Sequence, residues 1–367
     1  MYQKQYSEDY DASVSGTIDL VFEFSGVNLQ GKTLVVFENL SREGKVVGVH
    51  ADINDDKQTI YVPKIQTSAS EALTGLNEMK AGSDTVILDK VSYENLEKGK
   101  TYNLTAVLHK KSDGSELSET RVVGTFVAGT ENQIITTSGT AIMTVGELRN
   151  AMKSADKADK DNTKFDVKTE KLEIVQKNDA TVRVNGEVTV MIPVDTSKLG
   201  GETVVAFETL TSPSMDSENK ASDKVVATHE DIDDEAQSVH VPKIQTSATI
   251  DGKKASIASK KMTVTDKVTY TNLTVGTEYT VHGVLMDKTT GKSLKVVADK
   301  TFKPESADGT VDVTFTFDGS ELAGRQLVVF EQLTRKDENG KDVIVAVHED
   351  INDAAQTVYS VPTVRFV

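Results

Sequence analysis

The sequence predicts an all-β chain of tandem β-sandwich domains, with one small helical insertion in the second unit. Three observations carry that expectation. Thr, Val and Ser abound in short alternating runs while apolar content is 37% and Trp is absent, a composition suited to pleated, half-buried strands and modest cores. Turn residues punctuate those runs at the strand spacing of immunoglobulin-like sandwiches. One block of sequence recurs three times, and 367 residues leave room for two or three domains that each bury a core of their own.

Taken in order, residues 1–63 look like the C-terminal half of the unit that recurs later. Gly16-Thr17-Ile18-Asp19-Leu20-Val21-Phe22-Glu23-Phe24 matches Gly309-Thr310-Val311-Asp312-Val313-Thr314-Phe315-Thr316-Phe317, and both run through a Gly-containing turn into a Val-Phe-Glu strand. That strand is Val35-Val36-Phe37-Glu38, and it returns as Val205-Ala206-Phe207-Glu208 and Val328-Val329-Phe330-Glu331, read each time as a strand ending in Phe-Glu. Next comes a His followed eight positions later by a Gln: His50 and Gln58, His229 and Gln237, His348 and Gln356. The Asp/Asn cluster between them reads as turn chemistry. Each Gln opens an alternating run whose first residue points to a defined face.

Val62-Pro63-Lys64-Ile65-Gln66-Thr67-Ser68-Ala69 returns as Val241-Pro242-Lys243-Ile244-Gln245-Thr246-Ser247-Ala248. A Pro after a strand stops ladder pairing and stiffens the connection, which sets unit boundaries at 1–63, 64–242 and 243–367. After each junction a second shared block appears, Leu88 to Leu96 and Thr265 to Leu273, followed by strands through Tyr102 to Leu108 and Tyr279 to Leu285. The second unit carries extra sequence at about 130–185. There Thr144-Val145-Gly146-Glu147 has capping-box spacing, and Leu148, Ala151, Met152 and Ala155 follow at helical intervals. Ser154 to Lys160 reads as a solvated helix end. The insertion is read as a lateral decoration covering a sheet edge, with a ligand-contacting role as the alternative.

Charge and composition narrow the function classes. A net charge of −16 disfavours nucleic acid and anionic membrane as partners. With no Cys, covalent reinforcement falls to other side chains. No apolar run reaches membrane-spanning length, and neither a secretion signal nor an anchor is evident, so the sequence reads as a mature or trimmed segment. Asp350, Asn352 and Asp353 suggest a cation loop at first sight, but the Gly and distal Glu of an EF-hand are missing, so no metal and no cofactor is expected.

The Val-x-Phe-Glu strands, the His-x-Asp-Ile-x-Asp-x-x-Gln stretches and the Ile-Gln-Thr-Ser-Ala starts resemble the Thr–Gln ester-bond domains, or VaFE repeats, of Gram-positive surface adhesins and pilus-like stalks. The resemblance covers nearly all of the chain outside the insertion. It implies that a Thr on the first strand joins a Gln on the last, with a His and two acidic residues assisting. Carried over by position, the second unit would join Thr67 to Gln237 with Asp89, Glu208 and His229 around the bond. The third would join Thr246 to Gln356 with Asp266, Glu331 and His348. The first unit keeps Glu38, His50 and Gln58 but has no Thr strand and no acid equivalent to Asp266.

That chemistry is physically sound. An alcohol is a weak nucleophile and a carboxamide a poor electrophile, so a base for the Thr proton and an acid near the amide are both needed. His348 suits the base; two carboxyls sharing an apolar interior cannot both ionise, so one keeps a proton for the Gln amide. Fixed on adjacent strands, the reactants gain an effective molarity of about 10⁵–10⁸ M. The expectation is a non-enzymatic stalk, displayed outside a Gram-positive cell and attached to its wall, with neighbouring repeats and a host ligand at a distal tip as partners. The alternatives are a Lys–Asn isopeptide stalk and a ligand-binding module built on the insertion. A hydrolase is disfavoured, since no Gly-x-Ser-x-Gly elbow is present.

Overall fold

The computed structural model describes residues 15–158, 168–169, 182–215 and 221–363. Residues 1–14, the insertion at 159–167 and 170–181, including Asp159 and Lys160 of the expected helix end, and residues 216–220 and 364–367 lie outside the described residues.

The first unit holds β1 (Thr33–Val35), β2 (Glu38–Arg42), β3 (Lys45–His50) and β4 (Thr59–Tyr61), arranged as two separate ladders, β1 with β4 and β2 with β3. Residues 16–24 carry no strand, although their counterparts 309–317 do. The reason is the ladder: in the third unit that stretch pairs along its whole length with a neighbour, and no counterpart of this neighbour precedes residue 16 among the described residues. The core face of the unit is therefore open. Leu20 and Phe22 are 51% and 58% exposed where Val313 and Phe315 are each 1% exposed, and Leu40 is 63% exposed where Leu333 is fully buried.

The second unit runs β5 (Lys64–Glu71), β6 (Thr85–Glu97), β7 (Thr101–Lys110), β8 (Glu116–Val127), β9 (Gln133–Thr136), β10 (Gly139–Ile142), α1 (Val145–Ala158), β11 (Arg183–Val194), β12 (Thr203–Met215), β13 (Ala221–His229) and β14 (Ser238–His240). One sheet has the order β10-β9-β11-β6-β5; the facing one has β13-β12-β7-β8, with β14 also paired to β12. Ile65, Val91, Tyr93, Leu104, Phe126, Val190 and Val204 fill the space between them, each large buried side chain contributing about 1.5–3 kcal/mol.

The third unit repeats the plan without the insertion. It comprises β15 (Lys243–Ile250), β16 (Ala255–Ile257), β17 (Met262–Thr271), β18 (Tyr279–Asp287), β19 (Lys292–Phe302), β20 (Gly309–Phe317), β21 (Arg325–Lys336), β22 (Asp342–His348) and β23 (Thr357–Val361). Its sheets are β15-β17-β20 and β16-β23-β21-β18-β19, with β22 on β21. A separate core forms around Ile244, Val268, Tyr279, Phe315 and Val329. Among the described residues the chain is thus all-β outside α1 and short helical turns, with the second and third units built as tandem immunoglobulin-like sandwiches.

Three details differ from the sequence reading. The Val-Phe-Glu strands do not end at Glu: β12 continues to Met215 and β21 to Lys336, because both ladder onward against the strand that follows. The Gln residues stand just before their strands, at the end of a short turn, rather than as first strand residues. The insertion does two things. Its β9 adds in parallel to the edge of β11 and β10 extends the sheet further, while α1 lies on the outer face, packing Leu148 against Ala72, Leu88, Ile134 and Ala141. The capping box forms as expected: Glu147 N donates to Thr144 Oγ1 at 3.2 Å and Thr144 N to Glu147 Oε2 at 2.8 Å.

Candidate cross-linking sites

Strand register brings the expected residues together. Glu208 stands directly opposite His229 and Glu331 opposite His348. Asp89 is opposite Ala69, two residues along β5 from Thr67, and Asp266 is likewise opposite Ala248, two along β15 from Thr246. Residues two apart on a strand share a face, so Thr and Asp both point into the sandwich. The other sheet supplies Glu, His and Gln. The reactants are therefore on strands of two facing sheets with no ladder between them, and not on adjacent strands of one sheet. Their side chains meet across the core.

In the second unit Asp89, Glu208 and Gln237 are fully buried and Thr67 nearly so. Thr67 Oγ1 lies 3.3 Å from His229 Nδ1, and Gln237 Nε2 donates to Glu208 Oε2 at 2.9 Å and to the Ala206 carbonyl at 2.7 Å. In the third unit Gln356 Nε2 donates to Glu331 Oε2 at 2.8 Å, and the Thr246 hydroxyl donates to the same oxygen at 3.3 Å. In both units the Gln Nε2 also approaches the backbone carbonyl of the site histidine at 3.4 Å. The Thr hydroxyl thus faces the imidazole in one unit and the carboxyl in the other.

Burial favours the protonated form of the acid pairs. Burial raises Asp89 and, more strongly, Glu208, whose ionisation is opposed further by the Asp89 charge. Burial likewise raises Asp266, and it pushes Glu331 up to about 11 with Asp266 adding to the shift. Both oxygens of each Asp, one oxygen of each Glu and the Oε1 of each Gln lack a hydrogen-bond donor. A proton held between each Asp and Glu supplies one, which is what two carboxyls in a dry interior require. His229 moves the other way. Burial lowers its pKa against the opposing pull of Asp234 and Asp231, so it is a neutral base at pH 7.

One group was missed at the level of sequence. His229 Nε2 is 3.2 Å from Asp234 Oδ2, His348 Nε2 is 3.1 Å from Asp353 Oδ2, and His50 Nε2 is 2.9 Å from Asp55 Oδ2. Read as turn formers, these aspartates do that as well: their Oδ1 atoms accept from the backbone of Lys57, Ala236 and Ala355. One carboxylate in each unit therefore fixes the turn that delivers Gln and accepts at the imidazole Nε2, and in the second unit this leaves Nδ1 facing the Thr67 hydroxyl. The fixed spacing of five from His to Asp was the available signal.

The first unit has part of this set. Glu38 is opposite His50, and Gln58 Nε2 donates to Glu38 Oε2. Neither a Thr nor a second acid joins them among the described residues, and the His50 side chain is 60% exposed. Among the described residues no cluster of His, Cys, Asp or Glu could hold a metal ion, and no helix is long and apolar enough to cross a membrane.

Among solved structures the chain is similar to an adhesin from Mobiluncus mulieris that contains intramolecular disulfide, isopeptide and ester bond cross-links. Two crystal forms of it match at 16% identity over 74% of this chain and 80% of that one, with TM-scores of 0.30 and 0.31. No curated protein matches. The model of the T-Q ester bond containing domain matches three times, over residues 3–62, 63–241 and 242–360, and the chain belongs to that family.

Proposed function

We propose that the chain is a structural stalk segment of a bacterial surface adhesin, in which the second and third units each close a Thr–Gln ester bond without any enzyme. The observation that carries this is the convergence, twice over, of a Thr hydroxyl, a Gln amide, a buried acid pair and a His–Asp pair in one site. In each unit the Thr Oγ attacks the Gln Cδ while the His Nδ1 accepts the hydroxyl proton. The acid pair donates a hydrogen bond to the amide as charge develops. Collapse breaks the Cδ–Nε2 bond, and the nitrogen takes up a proton and leaves as ammonia. Thr67 joins Gln237 and Thr246 joins Gln356, stapling one sheet of each sandwich to the other. Each site turns over once, so the protein is its own substrate and not an enzyme.

On this reading the stalk stands outside a Gram-positive cell, attached to the wall, with neighbouring repeats as its partners and host binding located at a distal tip. A Lys–Asn isopeptide has less support, since no Lys is buried among the described residues. The test is intact mass: the protein should be lighter than its sequence by two ammonia molecules, and treatment of the unfolded chain with hydroxylamine should cleave both bonds. A full sequence mass overturns the proposal, and a mass deficit resistant to hydroxylamine indicates amides instead.

A further inference from the structure

Among the described residues, the most thoroughly buried ion pair lies at the joint between the second and third units and has no part in either cross-linking site. Glu78, on the loop between β5 and β6, is fully buried. Its Oε1 accepts from the Thr274 backbone N–H at 3.2 Å, and from the Thr274 and Tyr279 hydroxyls. Its Oε2 pairs with Arg335 Nη1 at 3.1 Å, and the Arg335 guanidinium lies 6.0 Å from the centre of the Tyr279 ring. All of these partners belong to the third unit. A buried carboxylate needs compensation for its lost water, and here the third unit supplies it, with donors on Oε1 and the Arg335 cation beside Oε2.

The loop that presents Glu78 is itself held from two directions. Met79 N donates to the His240 carbonyl at 3.0 Å and His240 N to the Asn77 carbonyl at 2.8 Å, which ties the loop to the last strand before the linker. Behind it, Arg149 of α1 donates through Nε to the Ala72 carbonyl at 2.8 Å, and Glu71 accepts from Leu73 N and Thr74 N. A second cluster grips the other side of the joint. Asn272 Nδ2 donates to the Glu202 carbonyl at 2.7 Å, and Asn272 Oδ1 receives the Thr203 hydroxyl at 3.1 Å. The two-residue linker, Val241 and Pro242, is buried between them.

We propose that the cap of the third unit, formed by Thr274, Tyr279 and Arg335, is a socket for the Glu78 loop of the preceding unit, that this contact fixes the two units as one rigid segment, and that α1 braces the loop making it. The joint is particular to this pair. At the cap of the second unit, Tyr102 stands where Tyr279 stands, but Glu97 replaces Thr274 and Ser212 replaces Arg335. There the contacts to the first unit are Asn95 Nδ2 to the Val62 carbonyl at 3.2 Å and Arg183 over the Tyr61 ring at 4.8 Å. At the far end of the third unit, Ala255 pairs with Tyr359 where Glu78 pairs with His240, so that end offers a following unit no equivalent acid.

The inference does not depend on ester formation. The absence of Cys makes the test direct: spin labels are placed through Glu119→Cys and Glu338→Cys in the full chain, and the inter-label distance distribution is measured by pulsed dipolar spectroscopy. The parent should give one narrow peak. Glu78→Ala, and independently Arg335→Leu from the opposite side, should at least double its width while far-UV circular dichroism and the mass deficit of each unit stay unchanged. Equal narrow widths in the parent and both variants overturn the proposal, as does a parent distribution that is already broad.

Discussion

Replacing Thr246 by Val removes the nucleophile of the third unit while leaving a side chain of nearly the same shape in the core. The loop it would have closed runs 110 positions from Thr246 to Gln356. In the chain-entropy model used for disulfides, releasing a loop of that length costs about 4.8 kcal/mol. A unit of about 120 residues has an unfolding entropy of roughly 0.25 kcal/mol per kelvin, so the melting transition should fall by about 15–20 °C. The second unit shares no site residue with the third and should keep its own transition. Differential scanning calorimetry separates the two, and intact mass should show one ammonia lost instead of two. A third-unit transition within about 2 °C of the parent, despite an open bond, would refute the loop-entropy reasoning.

Further outcomes follow from the same geometry. His348→Ala should leave the third unit open and the second closed, whereas Thr246→Ser should still close because the hydroxyl remains; loss of both ammonia molecules from the His348 variant would reduce that imidazole to a packing role. With the second bond blocked by Thr67→Val, melting temperature should fall as pH rises from about 4 towards 6. The folded state holds protons on Asp89, raised to about 6, and on Glu208, which the unfolded chain releases near 3.8 and 4.5, so the unfolded state is the one favoured by raising pH. A rising profile across that interval would contradict the shared-proton assignment. Gln58 should remain an unmodified amide in the isolated chain, and a separate polypeptide carrying a first-half unit with its Thr should form an adduct through it. Tandem mass spectrometry finding Gln58 already esterified in the monomer would rule this out.

What the sequence made legible was whatever repeats. Three copies of His and Gln at one spacing marked the site, and the capping box at Thr144 located the helix to within a residue. The remaining features depend on contacts that no local pattern encodes. That Thr and Gln lie on different sheets follows from how the sandwich closes, not from either strand. Asp234 and Asp353 passed as turn formers because their second role reaches back to a ring five residues earlier. Glu78 gave no signal at all, since the third unit has Ala255 in that place. The insertion was read at a sheet edge, where its strands do sit, but the apolar stripe around Leu148 found the outer face of the sheet instead.

The placement of the reactants has a consequence for how a unit matures. Thr lies on the strand synthesised first and Gln beside the strand synthesised last, while the acids come from strands between them, so no portion shorter than the whole unit contains a working site. A slip of one residue in either ladder would turn Thr67 or Thr246 to the outer face, leaving hydroxyl and amide apart and ammonia unreleased. On the proposed chemistry the bond is therefore a durable record that a unit reached its correct register, readable afterwards as one missing ammonia per unit even when the fold has been destroyed.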